Sequence, residues 1–170
     1  MNRPEPEDYS PYMAGYVALA LKEDDVLSAL AQQKDTSYNL FSGLNEAQAN
    51  YAYAEGKWTI KQLLGHMIDA ERTFAYRILA FSRGQGPLPG FDENIYVEKG
   101  NFNDQSIKDL AAEFKATRES NLYMLRALTP EQLSAEGIAS GNRITVLALV
   151  YIMAGHERHH LNIIKERYLN

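Results

Sequence analysis

The chain has 170 residues, 45% of them apolar, which suits one globular domain that closes its core without staples. It contains no cysteine, which excludes disulfides, thiolate metal sites, iron–sulfur clusters and a thiol nucleophile of its own. A net charge of −5, with no Lys/Arg stripe interleaved with aromatics, argues against nucleic acid as a partner.

The opening stretch, Met1 to Ser10, is acidic and proline-containing and lacks the basic and apolar regions of an export signal, so it reads as the flexible tip of a cytoplasmic protein. Residues 1–22 form an extension packed on or leading into the main domain, which occupies 23–170. A first helix is predicted from about Glu23 to Phe41, with Val26, Leu27, Leu30, Ser37, Leu40 and Phe41 near one face and Gly43 at its end. A second begins at Thr59, where Thr59 and Gln62 have capping-box spacing. It runs to about Ser82 through Leu63, His66, Met67, Ala70, Phe74 and Ile78.

A third helix is predicted from about Ser106 to Leu128, facing inward with Ile107, Leu110, Ala111, Phe114, Leu122, Leu125 and Leu128. The fourth runs from about Thr145 to Tyr168. The apolar run Ile144 to Gly155 is too short for a membrane span of roughly 20 residues and reads as buried core. Strand-type alternation is nowhere sustained, so the class is all-α. Between the second and third helices, Arg83 to Asn103 is rich in Gly and Pro and about twenty residues long, where antiparallel neighbours need about 2–8. That length suits a crossover making those helices parallel, which predicts an up-down-down-up four-helix bundle. A faint repeat accompanies it: Leu44-Asn45-Glu46-Ala47-Gln48 and Leu128-Thr129-Pro130-Glu131-Gln132 each follow a helix with a capped turn and precede a helix carrying Gly-His, Gly65-His66 and Gly155-His156.

Three of the four histidines fall within His156-Glu157-Arg158-His159-His160. On a helix, His156 and His160 stand roughly 40° apart and one turn along, so both can reach one ion, whereas His159 points to the other flank. His66 lies between Leu63, Met67 and Ala70 on a buried face, where a neutral imidazole needs a partner. Three nitrogens with positions left open match a catalytic rather than a structural divalent-metal site, with zinc or nickel as the leading ions. Asp69, three residues after His66, is the candidate base or outer acceptor. Arg77 is expected to pair with Asp92 and Glu93 and pin the linker, and Trp58 is read as a core anchor. Metal affinity is expected to fall as pH drops through the imidazole pKa of about 6.5.

Two blocks, Trp58-Thr59-Ile60-Lys61-Gln62-Leu63-Leu64-Gly65-His66-Met67-Ile68-Asp69 and Gly155-His156-Glu157-Arg158-His159-His160, resemble the signature segments of the DinB-like superfamily. With Arg77 and Pro89-Gly90-Phe91-Asp92-Glu93, the likeness is to its YfiT-type branch and covers about Glu23 to Tyr168. The resemblance implies an up-down-down-up bundle with a three-His metal site, often homodimeric, here with Tyr12, Tyr16 and the first helix as candidate contact surfaces. It also implies thiol-dependent S-transfer using a low-molecular-weight thiol such as bacillithiol, mycothiol or glutathione. Metal-dependent hydrolysis with activated water, or a non-catalytic metal-binding stress role, are the alternatives. Leu161-Asn162-Ile163 departs from the Gly-Gln that many relatives carry after the last ligand. Since the chain has no cysteine, any thiol must enter as a small molecule, and the long linker is the expected wall of its pocket.

Overall fold

Among residues 1–22 and 25–169, which the computed structural model describes, each long helix starts at a side chain that accepts from its own first turn. The elements in chain order are α1 (Ala14–Ala20), α2 (Val26–Ser42), α3 (Glu46–Ala49), α4 (Ile60–Ser82), α5 (Glu93–Lys99), α6 (Ile107–Arg126) and α7 (Pro130–Ser134), then the hairpin β1 (Glu136–Ala139) and β2 (Asn142–Thr145), and α8 (Val146–Ile163). Asp25 caps α2 by accepting from the Ser28 N–H, so the predicted start at Glu23 lies outside the described residues. Thr59 and Gln62 form the predicted reciprocal box at α4. Ser106 caps α6 and Thr145 caps α8. The last predicted turn, up to Tyr168, widens into a π-helical segment over Ile164–Tyr168.

The bundle consists of α2, α4, α6 and α8 in the predicted up-down-down-up sense. Thr59 donates to Asn103 Oδ1 and Lys61 Nζ to the Asn103 carbonyl, which holds the beginnings of α4 and α6 together, so the two run parallel. At the other end of α2, Glu46 accepts from the first N–H of α6, so α2 and α6 are antiparallel. Gln33 donates to the Ala154 carbonyl and Ser37 to Glu157, which aligns α2 parallel to α8. The same succession occurs in both halves: α3 carries the Asn45/Gln48 box and α7 the Thr129/Gln132 box, each before a helix bearing Gly-His.

Two features depart from the sequence reading. The segment 136–145 is a hairpin with register Glu136↔Thr145. It turns at Ser140 and Gly141, both at positive φ, as the two-residue type I′ loop demands. Leu88 donates to the Ile138 carbonyl, so the crossover is laid along this hairpin. The N-terminal tip is tied down: short 3₁₀ turns span Pro6–Asp8 and Pro11–Met13, and Arg143 donates to the Glu7 carbonyl. Among the described residues, no helix is long and apolar enough to cross a membrane.

Both Gly-His pairs are close-packing sites. A β-carbon at Gly155 would overlap the Tyr16 carbonyl of α1, and one at Gly65 would overlap the Phe102 ring. Glycine at these positions lets α1 lie against α8, and Phe102 against α4, one residue before each histidine.

Candidate metal centre

Position on the helices brings His66, His156 and His160 together at the packed face between α4 and α8. The Nε2 atom of His156 is 3.1 Å from that of His66 and 3.1 Å from that of His160. All three ligand nitrogens lie within 4.8 Å of one another. The three residues are 7%, 7% and 8% exposed. Nitrogens bound to one tetrahedral ion at about 2.1 Å stand about 3.4 Å apart, close to the observed spacing. His156 Nε2 has only a proton or a lone pair to share between two neighbouring nitrogens, whereas a cation at the centre partners all three.

Burial removes the competing proton. It depresses His66 to about 4 and His160 to about 3. His156 is held well below the usual imidazole range, by burial first and then by its neighbouring histidines. The donor set is therefore three neutral imidazoles, which fits a divalent first-row ion. The rings are packed by aromatic side chains: the Trp58 ring is tilted against His66 at 5.0 Å between centroids, and Tyr16 and Phe74 each meet His156 edge-on at 5.4 Å. His159 stands outside the triplet, with its ring against Tyr16.

The histidines form one end of a cavity of about 470 Å³. The linker contributes Phe91 and Glu93 to its wall, as expected. The N-terminal segment from Ser10 to Tyr16 and the hairpin residues Ala139 to Ile144 supply walls that the sequence reading did not include. Tyr12 and Tyr16, the candidate contact residues, both line this cavity, and Tyr12 is 78% exposed. Trp58 packs at the edge of the core and also lines the cavity, so it is more than the expected anchor.

The carboxylates are placed differently from the sequence reading. Asp69 lies outside the cavity lining and 3.7 Å from Arg72. Its carboxyl is pushed up by burial, opposed by Arg72. The carboxylate that lines the cavity is Glu93, and its field raises the pKa of His66 against the larger effect of burial. Arg77 does not form the expected ion pair. It donates to Ser140 Oγ at 3.0 Å and weakly to the Pro89 carbonyl at 3.4 Å, with its guanidinium beside the Phe91 ring. Asp92 is occupied in capping α5, where it accepts from the Asn94 and Ile95 N–H groups.

Beside the histidines runs a buried ionic network absent from the sequence reading. Arg118 is 0% exposed and forks onto Glu71, with Nε and Nη2 donating at 2.7 and 2.8 Å, while Nη1 lies 2.7 Å from Glu157 Oε2. Asn121 adds a bond to Glu71, Ser37 donates to Glu157, and the Leu30 carbonyl accepts from Arg118. Burial would lower the Arg118 pKa, but the two carboxylates raise it further still. A signal was available: Glu71 follows Met67 and precedes Phe74 at core spacing, and Arg118 does the same between Phe114 and Leu122. A charge in a core stripe needs a buried partner.

Comparison with known proteins agrees with this architecture. The sequence model of the DinB superfamily matches residues 29–164. A protein of Oceanobacillus iheyensis named "Putative metal-dependent hydrolase" is 31% identical over 129 residues, covering 73% of this chain and 72% of the relative. A second protein of that organism with the same name is 26% identical over 126 residues, 72% of each chain. Among solved structures, YfiT from Bacillus subtilis, described as a probable metal-dependent hydrolase with an unusual four-helix bundle topology, superposes with a TM-score of 0.67. It is 18% identical, over 97% of this chain and 90% of that one. A DinB-like protein of Bacillus subtilis, YjoA, gives 0.59 at 22% identity over 83% and 87%. At these identities the two structures bear on the fold.

Proposed function

The chain belongs to the DinB superfamily, and we propose that His66, His156 and His160 hold a divalent ion, zinc or nickel, at which a small-molecule thiol is activated for S-transfer. The observation that carries this reading is the convergence of three buried, neutral Nε2 atoms at the end of a cavity of about 470 Å³. An ion held by neutral imidazoles keeps its full charge, and its Lewis acidity lets a thiol or water give up its proton near neutral pH. The chain supplies the rest. Trp58, Phe74 and Tyr16 fix the imidazoles and exclude water, and Glu93 is the carboxylate placed to take the proton. Asp69, beside Arg72, is assigned an electrostatic role at the α4 surface instead.

A second reading, hydrolysis, is favoured by the names of the two Oceanobacillus relatives and uses the same Glu93 to activate water. The two are separated by incubating metal-loaded protein with an electrophilic arene, with and without a panel of low-molecular-weight thiols, and in parallel with an activated ester and no thiol. Thioether formation that needs both metal and thiol supports S-transfer. Ester cleavage without thiol, and no thioether, replaces it with hydrolysis. A cytoplasmic homodimer belongs to the same proposal, and light scattering that returned a tetramer or larger species would remove the dimer from it.

A further inference from the structure

Among the described residues two arginines are buried, and they are treated in opposite ways. Arg118 is surrounded by two carboxylates. Arg77 is 5% exposed, yet among the described residues no carboxylate pairs with it. Its two bonds, to a hydroxyl and a carbonyl, both come from Nη2 and go to neutral acceptors, which leaves Nε and Nη1 without a partner among those residues. A purely structural strut between α4, the linker and the hairpin tip does not require a full positive charge, because the neutral amide of a glutamine donates to such acceptors without the cost of burying a cation.

Arg77 also lines the histidine cavity. It follows His66 by eleven residues on α4, which is three turns on the same helix face and about 16 Å of rise. The wall between the two is aromatic and apolar: Phe74, Phe91, Tyr16 and Met13. Glu93, the carboxylate in the lining, acts on His66 and Tyr16, while burial alone accounts for the lowered pKa of Arg77.

We infer that Arg77 is the recognition group for an oxyanion on the substrate, so that the cavity takes a small organic acid whose apolar body spans from the Arg77 guanidinium to the histidine cluster. The inference rests on the proposal that this cavity is the substrate site. It adds the substrate class: a carboxylate, sulfonate or phosphate ester on an aromatic-sized frame, whose charge replaces the counterion that the fold withholds from Arg77.

The test is calorimetric titration of the full chain, metal-free and zinc-loaded, with benzoate, benzenesulfonate and phenyl phosphate against neutral benzamide. The metal-free chain is expected to prefer at least one acid over benzamide by about tenfold or more. The order among the three acids identifies the oxyanion. Arg77→Met should abolish the preference while zinc stoichiometry stays unchanged. Equal binding of acids and benzamide, binding of neither, or a preference that survives in Arg77→Met overturns the assignment. The preference in the unsubstituted metal-free chain keeps it testable should Arg77→Met fail to fold. Zinc stoichiometry is read separately: a chain that selects acids but takes up no zinc refutes the metal centre and leaves the Arg77 site standing.

Discussion

Two polar clusters lie side by side in the centre of the bundle, joined through the consecutive residues His156 and Glu157, and they follow opposite rules. The Glu71–Arg118–Glu157 network is charged, closed and tied to all four long helices: Leu30 and Ser37 from α2, Glu71 from α4, Arg118 from α6 and Glu157 from α8. The histidine triplet is neutral, opens onto a cavity, and points its nitrogens at one another. Opposite charges paired across helices fix their packing, whereas groups of one kind aimed at a common point await something from outside. The contrast between Arg118 and Arg77 repeats the lesson with cations.

The largest effect expected from breaking this contrast is on the closed cluster. Arg118→Met strands Glu71 and Glu157 without their cation and should cost about 3–5 kcal/mol in urea unfolding. A loss below about 1 kcal/mol would mean that the network behaves like surface charge. On the open cluster the expected signature is binding rather than folding. His66→Ala should weaken zinc affinity by at least about 100-fold with the metal-free melting temperature little changed, while His159→Ala leaves zinc affinity as it was. Competition with a chromophoric chelator reads both, and equal losses in the two variants would dissolve the distinction between them.

A smaller effect is expected where the two regions meet the N-terminal segment. Gly155→Ala forces a β-carbon against the Tyr16 carbonyl and should cost about 1–3 kcal/mol as α1 lifts from α8. Exposure of Tyr16 to solvent, followed by its fluorescence or by hydrogen exchange over α1, checks the direction. Unchanged protection of α1 would show that the helix yields elsewhere.

The smallest effect concerns pH and corrects the expectation drawn from free imidazole. His66 and His160 titrate near about 4 and about 3 in the fold and near about 6.5 when unfolded, so the unfolded chain binds more protons between those values. Stability of the metal-free protein should therefore decline as pH falls from about 6.5 towards 4. Within the folded state the nitrogens stay free over most of that window, so the zinc-induced rise in melting temperature should be nearly constant between about pH 7 and 5. Paired melts across that range test it, and an increment that halves by about pH 6 would show that the imidazoles titrate as if exposed.

Much of the bundle was legible because it is written locally. Thr59 with Gln62 announces the start of α4 three residues ahead of its inward stripe, and the Gly/Pro-rich stretch 83–103 is too long for an antiparallel turn, so the crossover and the helix directions follow. The one-turn spacing of His156 and His160 is likewise a property of a single helix. The hairpin at 136–145 was less legible although the Ser140-Gly141 pair is a turn signal, because its strands are four residues each and too short to show alternation. The charges of Glu71, Arg118 and Glu157 stood in core stripes, but which carboxylate meets which guanidinium depends on three helices at once.

Helix boundaries, the inward faces and the histidine pair on α8 thus come from interactions between residues a few positions apart, which any stretch of chain carries with it. The remaining walls of the cavity come from segments far apart in sequence: Tyr16 from α1, Trp58 from the turn before α4, Arg77 from α4, Glu93 from α5 and Ser140 from the hairpin. Periodicity reports that a side chain is buried but not what it faces, and so the surroundings of Asp69, the expected base, and of Glu93, the expected partner of Arg77, were decided only when the linker folded back across the bundle. Packing placed one beside Arg72 and the other in the cavity, because the directions of α4 and α5 relative to α8 are decided by contacts that no local stretch contains.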